Sequence, residues 1–106
     1  MEKNTELAYK TLDQIRANPQ GWDQNEFFCG TTACFAGHAI LIHYGLSDED
    51  QYREWQKETN ALDTIMIARE ALGWNEREAA YVFGRFTTDF TELESVVKDV
   101  LNGKFS

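Results

Sequence analysis

The segment from residue 27 to 45, FFCGTTACFAGHAILIHYG, constrains the fold more than any other part of the chain. From about residue 31 to 44 it reads as one helix, which either Thr31 or Thr32 can begin, because a threonine hydroxyl accepts a hydrogen bond from a free helical amide. At about 100° per residue, the apolar side chains of this helix point in every direction. A helix that is apolar on all sides is a buried helix. We therefore predict that it lies at the centre of the fold.

The rest of the sequence supplies shorter helices to surround a central one. Apolar residues recur at three- and four-residue spacings in TELAYKTLDQIRAN, ALDTIMIAREALG, NEREAAYVFG and the segment after residue 91, and no run alternates at period two. A third helix, SDEDQYREWQKE, is predicted to begin at Ser47. The signals that bound the later helices are Gly73, the pair Asn75 and Glu78, and the pair Thr91 and Glu94. We predict an all-α protein, a compact bundle of five or six short helices around the buried central helix.

Length and charge limit the classes of function. A chain of 106 residues has the size of a single domain. Its net charge of −8 opposes binding to a phosphate backbone, because lysine and arginine supply most of that affinity. Two helices joined at Gly73 and Trp74 resemble a helix-turn-helix, but Glu76 and Glu78 would stand where phosphates or base edges are met. The sequence therefore predicts no nucleic-acid partner.

Hydropathy and cysteine content bear on the compartment. No apolar stretch approaches the roughly 20 residues that a membrane span needs, and the start of the sequence lacks the pattern of a signal peptide. Two cysteines in a chain that can build its own core are expected to remain thiols in a reducing compartment. We predict a cytoplasmic protein with no membrane partner, and the sequence leaves its oligomeric state open.

Two cysteines and two histidines in the opening segment raise the question of a zinc site. Cys29, Cys34, His38 and His43 are suitable ligand types. With a rise of about 1.5 Å per residue, however, His43 lies roughly 13 Å along the helix from Cys34, too far for one ion. The sequence therefore predicts no metal and no cofactor.

Cys29 is the candidate for thiol chemistry, because it lies just before the predicted helix start, where the helix dipole and free amides favour a thiolate. The segment resembles bacterial peptidases that trim double-glycine leader peptides, in which a glutamine before Cys-Gly supplies the oxyanion hole. The matching residues are Gln24, Cys29, Gly30, Ala33, Cys34, Tyr44 and Gly45. No histidine follows His43, so the general base of that family is missing and the peptidase assignment fails.

A second resemblance covers about half of the chain. Small uncharacterised proteins of bacteria and their phages carry a Cys-Gly-Thr-x-x-Cys-x-Ala-Gly segment, followed downstream by a Leu-Gly and a helix rich in Glu and Ala that ends in Phe. This chain has CGTTACFAG at residues 29–37 and ALGWNEREAAYVF at 71–83. The resemblance implies a compact helical fold and a phage or bacterial setting, without an agreed activity.

The motif residues also have a structural interpretation. Gly37 with Ala36 lets a neighbouring helix approach closely, and Cys34 behaves as a small hydrophobe. His38 is expected to be a hydrogen-bonded core histidine. The predicted structural motif comprises Cys29, Gly30, Thr31, Thr32, Cys34, Gly37 and His38.

The third predicted helix supplies a candidate binding surface. Asp50, Glu54 and Glu58 recur every four residues, so they form a stripe of like charge on one face, either simply solvated or a docking surface for a basic partner. Together with the resemblance to small phage proteins, which implies an anti-defence inhibitor, this stripe leads us to expect an acidic phage-type accessory protein that acts by binding a host or phage protein rather than by catalysis. The alternative is a thiol-dependent enzyme or a small-ligand-binding protein. Its cleft would lie at Cys29 and be lined by Gln24, Thr31 and Thr32.

Overall fold

Six α-helices and one small antiparallel hairpin account for the regular structure of residues 2–29, 32–60 and 63–105, the parts that the computed structural model describes. The helices are α1 (Thr5–Ala17), α2 (Phe35–Tyr44), α3 (Glu49–Thr59), α4 (Thr64–Leu72), α5 (Glu76–Phe83) and α6 (Phe90–Leu101). A 3-10 turn (Pro19–Gly21) follows α1, and the strands β1 (Phe28–Cys29) and β2 (Thr32–Ala33) precede α2. The prediction of an all-α bundle of five or six helices is confirmed.

The helix α2 lies at the centre of the bundle, between α1 and α4. Its Phe35 and Ala39 belong to an apolar cluster shared with α1, α4, α5 and α6, whereas Ala36 and Ile40 belong to a second cluster shared with the hairpin, α3 and α4. One helix therefore supplies side chains to both parts of the core. This confirms its central position, although His43 near its C-terminal end is exposed.

The predicted start of the central helix is wrong. The helix α2 begins at Phe35, and its N-cap residue is Cys34 in an extended conformation. Thr32 lies in β2 instead of capping the helix, and Thr31 lies outside the described residues. Cys29, expected just before the helix, is in β1, five residues upstream of the N-cap.

The hairpin explains this shift. Phe28 pairs with Ala33 and Cys29 pairs with Thr32, so Thr32 and Ala33, which were expected in the first turn of the helix, belong instead to a β-ladder. Each strand has only two residues, which is too short to show an alternating pattern. A further bridge from Trp22 to Ala33 ties the preceding loop to the same strand.

Side chains cap most of the helices. The capping box predicted for α5 is present: Asn75 Oδ1 accepts from the Glu78 amide and Glu78 Oε1 accepts from the Asn75 amide, each at 2.8 Å. The helices α3 and α6 are capped by Asp48 and Asp89, so the predictions at Ser47 and Thr91 are wrong by one and two residues. An aspartate carboxylate both accepts from the free amides and interacts with the positive end of the helix dipole.

The predicted left-handed cap at Gly73 is confirmed, with φ of +70°. A Cβ atom there would lie 1.9 Å from the carbonyl oxygen of Glu2. The N-terminal segment passes over this glycine, and the Asn4 amide donates to the Leu72 carbonyl at 2.7 Å. The glycine therefore allows the chain start to close the C-terminal end of α4.

The helices are short by the standard of a membrane span. The helix α1 has 13 residues, whereas a span needs about 20 apolar ones. Within the described ranges, no helix is both long enough and apolar enough to cross a bilayer.

Candidate functional site

Gln24 is a buried hydrogen-bonding centre that joins three parts of the fold. Its Oε1 accepts from the indole N–H of Trp22 at 2.9 Å and from the backbone amide of Phe35 at 3.0 Å. Its Nε2 donates to the carbonyl of Val82 at 3.2 Å. The side chain therefore satisfies the first amide of α2, which Cys34 does not cap. One of the two Nε2 hydrogens is thereby committed to Val82, and the buried side chain is held in place by the loop, α2 and α5.

Cys29 is exposed at the edge of the hairpin, in an acidic environment. The charge of Glu26, which also hydrogen bonds with the thiol, raises the pKa of Cys29, and Asp23 and Glu49 add smaller effects of the same sign. A cysteine nucleophile needs the opposite, a cation or free amides that stabilise its thiolate. The surroundings of Cys29 therefore disfavour thiol chemistry at neutral pH.

Cys34 is the cysteine that lies at a helix start. It is buried, and burial raises the pKa of its thiol to about 11, although backbone amides of Gly37 and Ala36 partly oppose this effect. At neutral pH Cys34 is therefore a protonated thiol that packs as an apolar side chain. Sequence reasoning assigned the helix-start position to the wrong cysteine because it did not predict the hairpin.

The different burial of the two thiols predicts their reactivity. In the native protein, Cys29 should react with a disulfide reagent at no more than the rate of an unstructured cysteine peptide, and Cys34 at least about tenfold more slowly, because reaction requires an accessible thiolate. Glu26→Gln should accelerate the reaction of Cys29 by removing the nearest negative charge. Mass spectrometry of the labelled chain assigns each rate to its cysteine, with Cys29→Ala as the control for Cys34.

Faster reaction of Cys29 than of the reference peptide would contradict this account. It would instead favour the interpretation of Cys29 as a reactive thiol. Rapid labelling of Cys34 in the native state would contradict its place in the core.

Gly37 packs against the loop before the hairpin. A Cβ atom at this position would lie 2.2 Å from the carbonyl oxygen of Phe27 and 2.9 Å from the Cβ of Ala33. The close neighbour is therefore loop backbone and a strand residue, whereas the sequence predicted a helix. The prediction that a helix approaches Gly37 is therefore wrong, although the position leaves no room for a side chain.

His38 is half-buried and hydrogen bonded within α2. Its Nδ1 lies 2.9 Å from the carbonyl oxygen of Cys34, and burial lowers the pKa of the imidazole. A neutral ring that donates to this carbonyl from Nδ1 fits both observations. No group of three or more histidine, cysteine or acidic side chains is placed to hold a metal ion within the part of the chain that the structure describes.

An apolar groove of about 730 Å³ lies between α4, α5 and the loop at residues 24–27. We call it the α4–α5 groove. Its apolar lining residues are Phe27, Cys34, Ile65, Met66, Ala79, Ala80, Phe83 and Phe86. Phe83 is held by edge-on contact with Phe27, at 6.4 Å between ring centroids, and by Trp74 at 5.8 Å. The groove therefore has a rigid aromatic wall.

Two of the groove residues are large apolar side chains that face solvent. Phe86 is 71% exposed and Ile65 is 46% exposed. Large apolar groups beside an apolar concavity are typical of a binding surface. Neither Phe86 nor Ile65 was predicted from the sequence to belong to a binding site. Phe86 lies between helices, where periodicity carries no signal, and Ile65 has the same spacing as the core residues of its helix.

The residues predicted to line a cleft at Cys29 are not brought together. Gln24 lines the α4–α5 groove, whereas Thr32 and His38 line a separate polar cavity of about 320 Å³. Cys29 is not among the described residues lining either cavity. The Thr32 hydroxyl instead donates to the Cys29 carbonyl at 3.1 Å, a contact that stabilises the hairpin. Gly30 and Thr31 lie outside the described residues.

The acidic stripe, defined as Asp50, Glu54 and Glu58, lies along the exposed face of α3. Among the described residues, none of these three carboxylates has an ion-pair partner within 4 Å. Arg53, an arginine on the same helix, pairs with Glu49 at 3.4 Å and lies over the rings of Phe28 and Tyr52. The stripe therefore keeps most of its negative charge.

Comparison with known proteins gives no match for this chain among protein-family models, curated proteins or solved structures.

Proposed function

We propose that this chain is a small acidic accessory protein that acts by binding a host or phage protein, in the role of an anti-defence inhibitor. The phage setting and the inhibitory role rest on the resemblance of residues 29–37 and 71–83 to small bacterial and phage proteins. The cytoplasm is the proposed compartment, because it would keep both cysteines reduced.

The α4–α5 groove is the observation that carries the binding proposal. An apolar groove flanked by an exposed phenylalanine and an exposed isoleucine costs free energy in water, at about 25 cal/mol for each Å² of apolar surface. A partner that covers this surface recovers that free energy. Interfaces typically depend on a few such apolar anchors near their centre.

The acidic stripe supports the same proposal in a different way. Three exposed carboxylates without described ion-pair partners would attract a basic partner over distances up to the Debye length, about 8–10 Å at moderate salt. Such charges mainly increase the rate of association. The stripe is therefore proposed to steer a partner, and the groove to hold it.

The thiol-based alternative has less support. Cys29 has a raised pKa and no described place in either cavity, while Cys34 is buried and protonated. A volume of about 730 Å³ does suit a small apolar ligand as well as protein side chains. The second candidate function is therefore the binding of a small apolar ligand in the α4–α5 groove.

Affinity capture from host lysate with a matched pair of variants tests the binding proposal. Ala80→Trp would fill the groove from an exposed position on α5, and Ser95→Trp adds the same side chain at an exposed position on α6 that does not line the groove. We expect wild type and Ser95→Trp to retain the same protein, identified by mass spectrometry, and Ala80→Trp to lose it. Retention of that protein by Ala80→Trp would contradict the proposed role of the groove.

Charge reversal tests the contribution of the stripe, with the association and dissociation rates of the captured protein as the measurement. Replacing Glu54 and Glu58 by lysine should slow association with the captured protein by about tenfold at low salt, with little change in dissociation. The stability of the fold should change by less than about 0.5 kcal/mol, since exposed charge pairs on a helix contribute only a few tenths of a kcal/mol each and the two new lysines repel each other as the two glutamates did. An association rate that changes with neither the charge reversal nor the salt concentration would show that the acidic stripe is only a solvated surface.

A further inference from the structure

We infer that the α4–α5 groove binds an amphipathic helical segment of the partner, with apolar side chains on one face and lysine or arginine on its flanks. This inference rests on the proposed function and specifies the chemistry of the partner at that site. It follows from the charge at the rim of the groove and from the elements that form its walls.

The rim carries a carboxylate on each of its three sides. Glu26 comes from the loop before the hairpin, Asp63 is the N-cap residue of α4, and Glu76 begins α5. All three residues are exposed. Because they surround an apolar floor on several sides, a bound apolar segment would place its flanking residues next to negative charge.

Arg69 is the only cation among the described lining residues, and the protein holds it in place. Its Nε donates to the carbonyl of Trp74 at 3.3 Å, and its Nη1 contacts Met66 Sδ at 3.6 Å and Glu76 Oε1 at 4.0 Å. Its side chain is only 18% exposed. The described lining residues therefore carry three carboxylates against one guanidinium, a net charge of −2 that favours a cationic flank over an anionic ligand.

The walls favour a helix over an extended strand as the bound form. They consist of two helices and a loop, and the nearby strand β1 has two residues that are already paired with β2. Strand addition needs a free sheet edge that supplies main-chain hydrogen bonds. A helix brings its own hydrogen bonds and needs only an apolar surface for its side chains.

Two synthetic peptides provide the test with the full chain. Both are 14-residue helices with the same leucine face, and their polar positions are all lysine in one and all glutamate in the other. Fluorescence anisotropy measures their binding to wild type, Ala80→Trp, Ser95→Trp and the rim variant Glu26→Gln/Glu76→Gln. Glu6→Gln/Glu70→Gln removes two exposed charges that do not line the groove and is the matched charge control.

We expect the lysine peptide to bind wild type and both control variants with similar dissociation constants. Ala80→Trp should raise the dissociation constant at least about tenfold, and the rim variant about threefold or more, with weaker salt dependence. The glutamate peptide should bind at least about tenfold more weakly than the lysine peptide. Circular dichroism should show that all variants remain folded.

Three results would overturn the inference. The first is equal binding of the lysine peptide to wild type and Ala80→Trp, which would place the peptide elsewhere on an acidic surface. The second is equal loss of binding in the rim variant and the charge control. The third is tighter binding of the glutamate peptide. If Ala80→Trp nonetheless lost the protein captured from lysate, the proposed function would stand and only the chemistry assigned to the partner would fail.

Discussion

Gly37→Ala is expected to destabilise the fold by about 3 kcal/mol, although alanine is normally the better helix former. In an unconstrained helix the same change would stabilise by about 1 kcal/mol. The sign reverses here because the added methyl group would lie 2.2 Å from the carbonyl oxygen of Phe27. That oxygen is backbone and accepts a hydrogen bond from the Cys34 amide at 3.3 Å, so it cannot rotate away as a side chain could.

Urea unfolding followed by circular dichroism measures this effect, and Gly45→Ala is the matched control. Gly45 ends the same helix with φ of +68°, and a Cβ atom there meets nothing within 4 Å. Its substitution should therefore cost only the strain of a left-handed alanine, about 1 kcal/mol. A Gly37→Ala variant as stable as wild type would show that the loop moves away freely. The described packing of loop against helix would then be wrong.

Much of the architecture follows from apolar periodicity and helix boundary signals. The all-round apolar character of residues 35–42 made a central helix necessary, and Gly73, Asn75 and Glu78 marked the junction of α4 and α5 correctly. These signals depend only on neighbouring residues in the sequence. The hairpin depends instead on pairing between two-residue strands, and its local sequence fitted a helix start equally well.

The candidate site was harder to predict for the same reason. The groove brings together residues from near positions 25, 65 and 80, and no local pattern indicates that contact. Phe83 was recognised as apolar, but whether an apolar residue faces the core or a groove depends on how α4 and α5 pack. The predicted cleft at Cys29 shows the same limit of local sequence patterns. Gln24, Cys29 and Thr32 are close in sequence, but the structure places them in different surroundings.

Gln24→Ala is expected to destabilise the protein by about 3 kcal/mol, because it leaves three polar groups without their partner. These groups are the Trp22 indole N–H, the Phe35 amide and the Val82 carbonyl. Gln24 is only 3% exposed, so access of water to these groups is limited. Gln24→Glu retains an acceptor for the two N–H groups but cannot donate to Val82 when ionised. Its stability should therefore be lower at neutral pH than at pH 4, relative to wild type.

Gln14→Ala is the control for this prediction, because Gln14 is exposed on α1 and its replacement should change stability by less than about 0.5 kcal/mol. Chemical unfolding of the three variants separates the two interpretations of Gln24. If Gln24 supplied an oxyanion hole and little else, Gln24→Ala would remain as stable as Gln14→Ala. A loss of about 3 kcal/mol, restored in part by glutamate at low pH, would instead identify this side chain as the link between the loop, the start of α2 and the end of α5.

The aromatic wall of the groove depends on that link, since Phe83 follows Val82 directly and packs on Phe27. A destabilised Gln24→Ala should therefore also bind the lysine peptide more weakly than Gln14→Ala does, even at temperatures where both remain folded.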